Sequence, residues 1–554
     1  MAASAQQERR IPVIRAQFQE SEFQMSDTLA SELLANAGRY FTDQFGGECS
    51  FVFDLYPVIT LSEHAEYYGR NSSDKRDAFL YKAVQEVCSA TGSFVDYRLY
   101  DCDSDGAVDN LFILFSGNSE ISGDNPDLIW PQQNLLSSLS APIYLQGKKV
   151  DCFCVCSESD SFGTFCHEYA HVLGLSDLYD TDGDGSGGRS ESLWGTLSLM
   201  DEGNGNAGTP PNFCAIELES LGLGSYDMLE PGSYELEPIG TSRHYLKAAT
   251  ANAGEYFLFE CRDNKGWDES IGGSGLLIYH IDKSENNAGY SDYYRVTLSA
   301  YERWRKNQVN CRPDHQCADL CEADSTSSVR TVFFPQTGHN SFGSDTKPAF
   351  RTWNGTEYPY SIVGITRDAG GSVKFSVVEP VRITDLVVFQ DAATLRWKTD
   401  DAIGRESYTY VICTDAEGCA DTVKVGSGIH CWTVDHLKPS TDYTIKVQAH
   451  NASDEAFSAS VAARTKAWRK ELQPYIYMGS VIRGEDGRIQ SGSHIPLRVC
   501  NAPDAIEVVW KLDDKIIRCG VDGYYEITRP GLLKAEVLHE DGSTDVIIKK
   551  LVLE

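Results

Sequence analysis

Residues 166–180 read CHEYAHVLGLSDLYD, and this stretch decides how the chain is understood. His167 and His171 stand four apart, so on a helix both imidazoles leave the same face and can share one metal ion. Glu168, beside the first histidine, is placed to take a proton from a water that the metal acidifies. Gly174 suits the left-handed turn that closes a helix, which predicts a helix ending there and a chain reversal after it. The reversal can bring Asp177 back as a third ligand. Three protein ligands leave a fourth position open, the arrangement of catalytic rather than structural zinc. HExxH alone also occurs on ordinary surface helices, but the continuation HExxHxxGxxD makes that reading the weaker one.

Downstream, Met200 in SLMD falls where metzincin peptidases carry a methionine turn beneath the metal. Glu191 stands 20 residues past His171, a spacing at which other HExxH peptidases supply a glutamate ligand. Asp177 and Glu191 are therefore alternatives for the third zinc ligand, with Gly174 and Met200 favouring Asp177. The same region fits a second pattern. Asp180, Asp182, Asp184, Gly185 and Glu191 match D-x-D-x-D-G-x5-E, the ligand spacing of an EF-hand calcium loop, without a flanking helix pair. An earlier run, DCDSDGAVD, offers Asp101, Asp103, Asp105 and Asp109. Phe112 holds its twelfth position, so it reads as a looser calcium site or a plain turn.

Composition bounds the rest. The 554 residues, at roughly 150 per domain, suggest three to four folding units. Against 48 Lys+Arg stand 81 Asp+Glu, a net charge of −33, which repels phosphate backbones and anionic lipid. Nucleic acid is excluded as a partner, and protein or peptide substrates fit better. No apolar run approaches the ~20 residues of a membrane span, and the N-terminus lacks a signal-peptide core. The 17 cysteines favour an exported protein, secreted or at the cell surface, whose signal has been removed. Cys311, Cys317 and Cys321 lie close together, and Cys413 and Cys419 flank a short turn, spacings that suit local disulfides.

The predicted fold is multidomain α+β. Residues 1–230 read as an α/β catalytic domain, with strands in IPVIRAQF and LFILFSG and a helix in AFLYKAVQEVC. Residues 231–378 read as a β-rich companion domain, with strands in SYELEPI, EYFLFECR, GSGLLIYHID, RTVFFP and SVKFSVVE. Between Tyr290 and Ser328 no regular pattern emerges. In 379–466, Leu437, Pro439, Thr441, Tyr443, Val447 and Ala449 follow LxPxTxYxxxVxA, which resembles a fibronectin type III domain. Residues 467–554 read as an immunoglobulin-like β-sandwich. His280 reads as a strand histidine satisfied by neighbours. Cys152, Cys154 and Cys156 alternate and should share one strand face, and Cys166 should point away from His167 into the core.

Several stretches together resemble the immune inhibitor A family of zinc metallopeptidases. They are GRYFTDQF, YRLYDCDSDGAVDNLFILFSG, DLIWPQQ, GTFCHEYAHVLGLSDLYDTDGDG, SLWGTLSLMDEG and EYFLFECRDNKGWDESIGGSGLLIYHID, spread over roughly residues 10–378. The resemblance implies an exported zinc endopeptidase with metzincin-like catalytic architecture, often calcium-stabilised. It carries His167, His171 and Glu168 onto this chain as ligands and general base. Ser176 stands where the family usually has proline. The rival expectation is a catalytically silent peptidase scaffold acting as a binding or adhesion protein through its C-terminal β domains, which an intact HExxH disfavours.

Overall fold

Strands whose central residues are buried on both faces build the first sheet. In the computed structural model, β1 (Gln7–Gln17), β2 (Cys49–Thr60) and β3 (Leu111–Phe115) run parallel, with β1 between the other two. β4 (Gln132–Leu135) is the antiparallel edge strand, paired to β5 (Cys152–Ser157), which lies parallel to β3. The order is β2-β1-β3-β5-β4. Residues 7–553 are described, apart from 73–74, 124, 191–194, 206–208, 325–330, 337–338, 468–472, 480, 482–487 and 521–523.

Period-two alternation sends successive side chains to opposite faces, and both faces are covered. Ile11, Val13, Phe112, Leu114, Cys154 and Cys156 enter one cluster with α1 (Asp27–Gln44), through Leu34, Tyr40 and Phe41. Ile14, Ala16, Leu111, Ile113, Phe153 and Val155 enter the other with α2 (Leu80–Thr91), through Leu80, Val84 and Val87. Cys154 and Cys156 therefore share a face, as alternation requires. The next helix, α3 (Phe162–Leu173), follows directly from β5 and packs Phe165, Cys166, Tyr169 and Ala170 into the first cluster.

That cluster continues into a second five-stranded sheet. β6 (Ser225–Met228), β7 (His244–Ala249), β8 (Glu255–Arg262), β9 (Gly275–Asp282) and β10 (Ala318–Leu320) lie in the order β10-β9-β8-β7-β6. Every residue of β8 and β9 is buried. RTVFFP makes no ladder strand among its described residues. Phe333 and Phe334 are buried, and Phe334 forms a single bridge to Leu276.

The chain divides into two compact units. One comprises Met1–Asn340, Thr352–Thr356 and Ile365–Phe375, the other Ser341–Arg351, Glu357–Gly364 and Ser376–Glu554. The second unit holds two facing sheets over residues 381–464. One contains β11 (Val381–Val388), β12 (Ala393–Thr399) and β15 (Cys431–Val434); the other contains β13 (Glu406–Asp415), β14 (Ala420–Gly426), β16 (Asp442–Asn451) and β17 (Ala456–Arg464). Their inner residues, among them Leu395, Trp397, Val411, Ile445 and Val447, form one core. Lys438 N donates to the Tyr443 hydroxyl at 2.9 Å, tying β16 back to the turn before it. Further on, β18 (Ala505–Leu512), β19 (Lys515–Ile516), β20 (Gly531–His539) and β21 (Thr544–Leu551) form an antiparallel sheet.

The expected disulfides are not formed: all 17 cysteines stand unbridged. The reason at Cys413 and Cys419 is orientation, since Cys413 is buried in the sandwich core and Cys419 is exposed. Cys317 lies in the apolar core, whereas Cys311 contacts the Thr181 hydroxyl at 3.2 Å.

Candidate metal centre

Local chemistry sets the ends of α3. Ser161 caps its N-terminus, accepting from Thr164 N at 3.0 Å, and Gly174 ends it at φ +109°. The chain then doubles back. It places Asp177 Oδ1 at 3.0 Å from His167 Nε2 and 3.3 Å from His171 Nε2. The imidazoles lie edge to face, 4.8 Å between centroids.

The other ring nitrogens are committed. His167 Nδ1 donates to Leu199 O at 2.9 Å and His171 Nδ1 to Leu175 O at 2.8 Å. A carbonyl only accepts, so each Nδ1 carries a hydrogen and each neutral ring presents its Nε2 lone pair toward the shared point. Among the described residues, buried Asp177 Oδ1 has no hydrogen-bond partner of ordinary geometry, despite those two short distances. Three ligand-capable atoms thus converge in a pocket where His167 is 3% and Asp177 5% exposed. This donor set fits a zinc ion, two neutral imidazoles and one carboxylate. Burial opposes a proton on His167, but Asp177 outweighs it and lifts the ring to about 9. Burial would likewise raise Asp177, and the two imidazoles instead hold it well below the usual carboxylate range. The cluster therefore demands positive charge, which a shared cation supplies while displacing protons.

Burial pushes the Glu168 carboxyl up, while His167, His171 and the backbone of Gln133 in edge strand β4 oppose the shift. Met200 is fully buried. The turn it belongs to serves both halves of the cluster, because Leu199 O orients His167 and Met200 O accepts Leu178 N at 2.8 Å. Buried Glu217, in α4 (Ala215–Leu221), fixes that turn. Its carboxylate accepts from Ser198 Oγ at 2.7 Å and Met200 N at 3.1 Å.

The acidic loops divide differently from their spacing. Asp180 and Asp182 gather with Cys311 rather than Asp184, which is exposed. Asp180 accepts from the backbone of Asp182, Gly183 and Ser190, while buried Asp182 Oδ1 has no hydrogen-bond partner among the described residues. Asp101, Asp103 and Asp109 gather with Asp105 outside, turned onto Ala107 N at 2.7 Å. Asp101 Oδ2 pairs with Lys148, and its Oδ1 is buried with no hydrogen-bond partner. Glu191 lies outside the described residues. His280 pairs with Glu255 at 2.8 Å between Phe257 and Trp353, away from the histidine pair.

Sequence reasoning missed the residues that hold the Asp177 loop from the segment without pattern. Asn307 binds Asp177 at two points, and Asn310 Nδ2 donates to Leu178 O at 2.8 Å. The readable signal was SAYE: Ser299 and Glu302 form a capping box that starts α5 (Ala300–Arg305), which delivers Asn307.

Residues 15–217 match the family described as immune inhibitor A peptidase M6, catalytic domain. Immune inhibitor A of Bacillus thuringiensis subsp. alesti is 26% identical over 203 residues, which are 31% of this chain and 29% of that protein. The chain thus spans less than a third of that curated relative. A solved fibronectin type III domain of human KIAA0970 protein is 18% identical over 17% of this chain and 77% of its own, with a TM-score of 0.15. The fn3 domain of human collagen alpha-1(XX) is 19% identical over 17% and 88%, also at 0.15. Over residues 15–217, this chain is therefore similar to the catalytic domain of the immune inhibitor A peptidase family.

Proposed function

We propose that the chain is an exported zinc-dependent metalloendopeptidase acting on protein substrates, with His167, His171 and Asp177 as ligands and Glu168 as general base. The observation that carries it is the convergence of two Nε2 lone pairs on a buried carboxylate oxygen that lacks a hydrogen bond. A zinc ion held there supplies polarisation of the scissile carbonyl and a water acidic enough to attack near neutral pH. Glu168 accepts the proton of that water and passes it to the departing amine. Glu217 and the Met200 turn keep His167 in the tautomer that leaves Nε2 free. The metzincin-like reading draws support from the Gly174 reversal and from buried Met200, which follows the carbonyl that orients His167.

Metal analysis of the purified protein should find one zinc per chain, lost in His167→Ala, together with hydrolysis of unfolded casein that a zinc chelator stops. A zinc-free native protein that still cleaves would sink the reading.

Calcium is proposed for the acidic loops, where Asp101 Oδ1 and Asp182 Oδ1 are oxygens a hard cation would take. Cys311 is too soft a donor for calcium and stands beside that ion. Calcium-selective chelation should lower the thermal midpoint by a few degrees and raise cleavage near residues 180–190. An unchanged midpoint counts against a calcium clamp. For residues 379–466 we propose a fibronectin type III module, supported by the three- and four-stranded sheets and the Tyr443 tie.

A further inference from the structure

We propose that Asn307 is the positioning residue that selects which oxygen of Asp177 faces the histidines, and that it thereby sets the zinc affinity of the site. The proposal rests on the metal reading above. Unlike the two histidines, Asp177 lies beyond the helix, in a loop that follows a left-handed glycine, so helical geometry does not fix its carboxylate. Asn307 grips it at two points. Asp177 N donates to Asn307 Oδ1 at 2.7 Å, and Asn307 Nδ2 donates to Asp177 Oδ2 at 2.6 Å. With one oxygen held, the other, Oδ1, is left 3.0 and 3.3 Å from the two Nε2 atoms.

The residue type follows from the contacts. One partner is a donor and the other an acceptor, which settles the amide orientation and requires a side chain offering both. Aspartate could accept from Asp177 N, but its second oxygen would meet the Asp177 carboxylate. Asn307 also has φ +54°, a left-handed conformation that asparagine tolerates better than most residues. Its backbone is held in turn. Asn307 O accepts from Thr181 Oγ1 at 2.9 Å, and Gln308 N donates to Arg303 O at 2.9 Å at the end of α5. A fixed helix end therefore presents the amide. Partners that orient a metal ligand this way typically carry 10–100-fold in affinity.

The alternative is that Asn307 merely braces the loop, a task that Asn310 shares through Leu178 O. Zinc affinity of the full-length protein separates the two, measured by competition with a chromophoric chelator after metal removal. Asn307→Gly keeps the left-handed backbone and the Thr181 bond while deleting the grip. It should bind zinc about 10–100-fold more weakly, and the Asp177→Ala background separates that loss from the cost to the fold of deleting two hydrogen bonds. In an Asp177→Ala background the same substitution should cost nothing further. Should Asn307→Gly lose its far-UV signal, isosteric Asn307→Asp carries the same comparison, with at least as large a loss expected. Native-like affinity in the folded variant overturns the proposal, as does an equal loss in the Asp177→Ala background. A native protein that takes up no zinc overturns the metal reading itself.

Discussion

Glu168→Ala protein is expected to keep its zinc and to hydrolyse unfolded casein about 10²- to 10⁴-fold more slowly than the native protein. The separation of the two effects follows from the geometry. The three converging ligand atoms belong to His167, His171 and Asp177, so removing the glutamate leaves the donor set intact. What disappears is the group proposed to move the proton. Glu168 is 6% exposed, and burial raises its carboxyl above the ordinary glutamate value. Glu168→Gln should behave alike, because it preserves volume and hydrogen bonding but not basicity. Equal cleavage by native and variant preparations would point to another site or a contaminant. Loss of zinc along with activity would assign Glu168 to holding the centre together instead.

The helix carrying these residues was legible because its chemistry is local. A histidine pair at i and i+4 and a terminal glycine lie within eight residues, from His167 to Gly174. The parallel strands were legible for a similar reason: burial on both faces leaves apolar runs such as LFILF. What supports the centre was not. Asn307 reaches Asp177 across 130 residues of sequence, and Glu217 reaches Met200 across 17, and neither contact leaves a periodic trace. Disulfide pairing failed as an expectation because spacing says nothing about orientation, and Cys413 and Cys419 face opposite ways. In the acidic loops, spacing selected Asp184 and Asp105, whereas the folded chain sends both outward.

The largest expected loss of stability comes from Arg262→Ala, beneath the site. Arg262 is completely buried in β8, and its guanidinium spends its donors on four partners. Nε and Nη2 form a fork onto Asp268 at 3.0 and 2.6 Å, and Nη1 reaches Glu260 Oε1 at 3.1 Å and Leu197 O at 3.3 Å. Nη2 also reaches Asn212 O at 3.4 Å. Glu260 continues the network to Tyr279 OH at 2.9 Å and to Ala215 N at the start of α4, the helix that carries Glu217. Truncation strands two buried carboxylates without their cation, a loss of roughly 3–5 kcal/mol. Against a total stability of about 5–15 kcal/mol, that is enough to populate the unfolded chain. The sign of its pH dependence is fixed as well. Burial already raises the Glu260 carboxyl, and without Arg262 it rises further above its unfolded value. The native variant then holds more protons than the unfolded chain above about pH 4, so its stability falls as pH rises. Urea unfolding should therefore show a larger deficit at pH 8 than at pH 5. A deficit under about 1 kcal/mol, or one independent of pH, would mean that the surrounding structure relaxes to let water reach the two carboxylates.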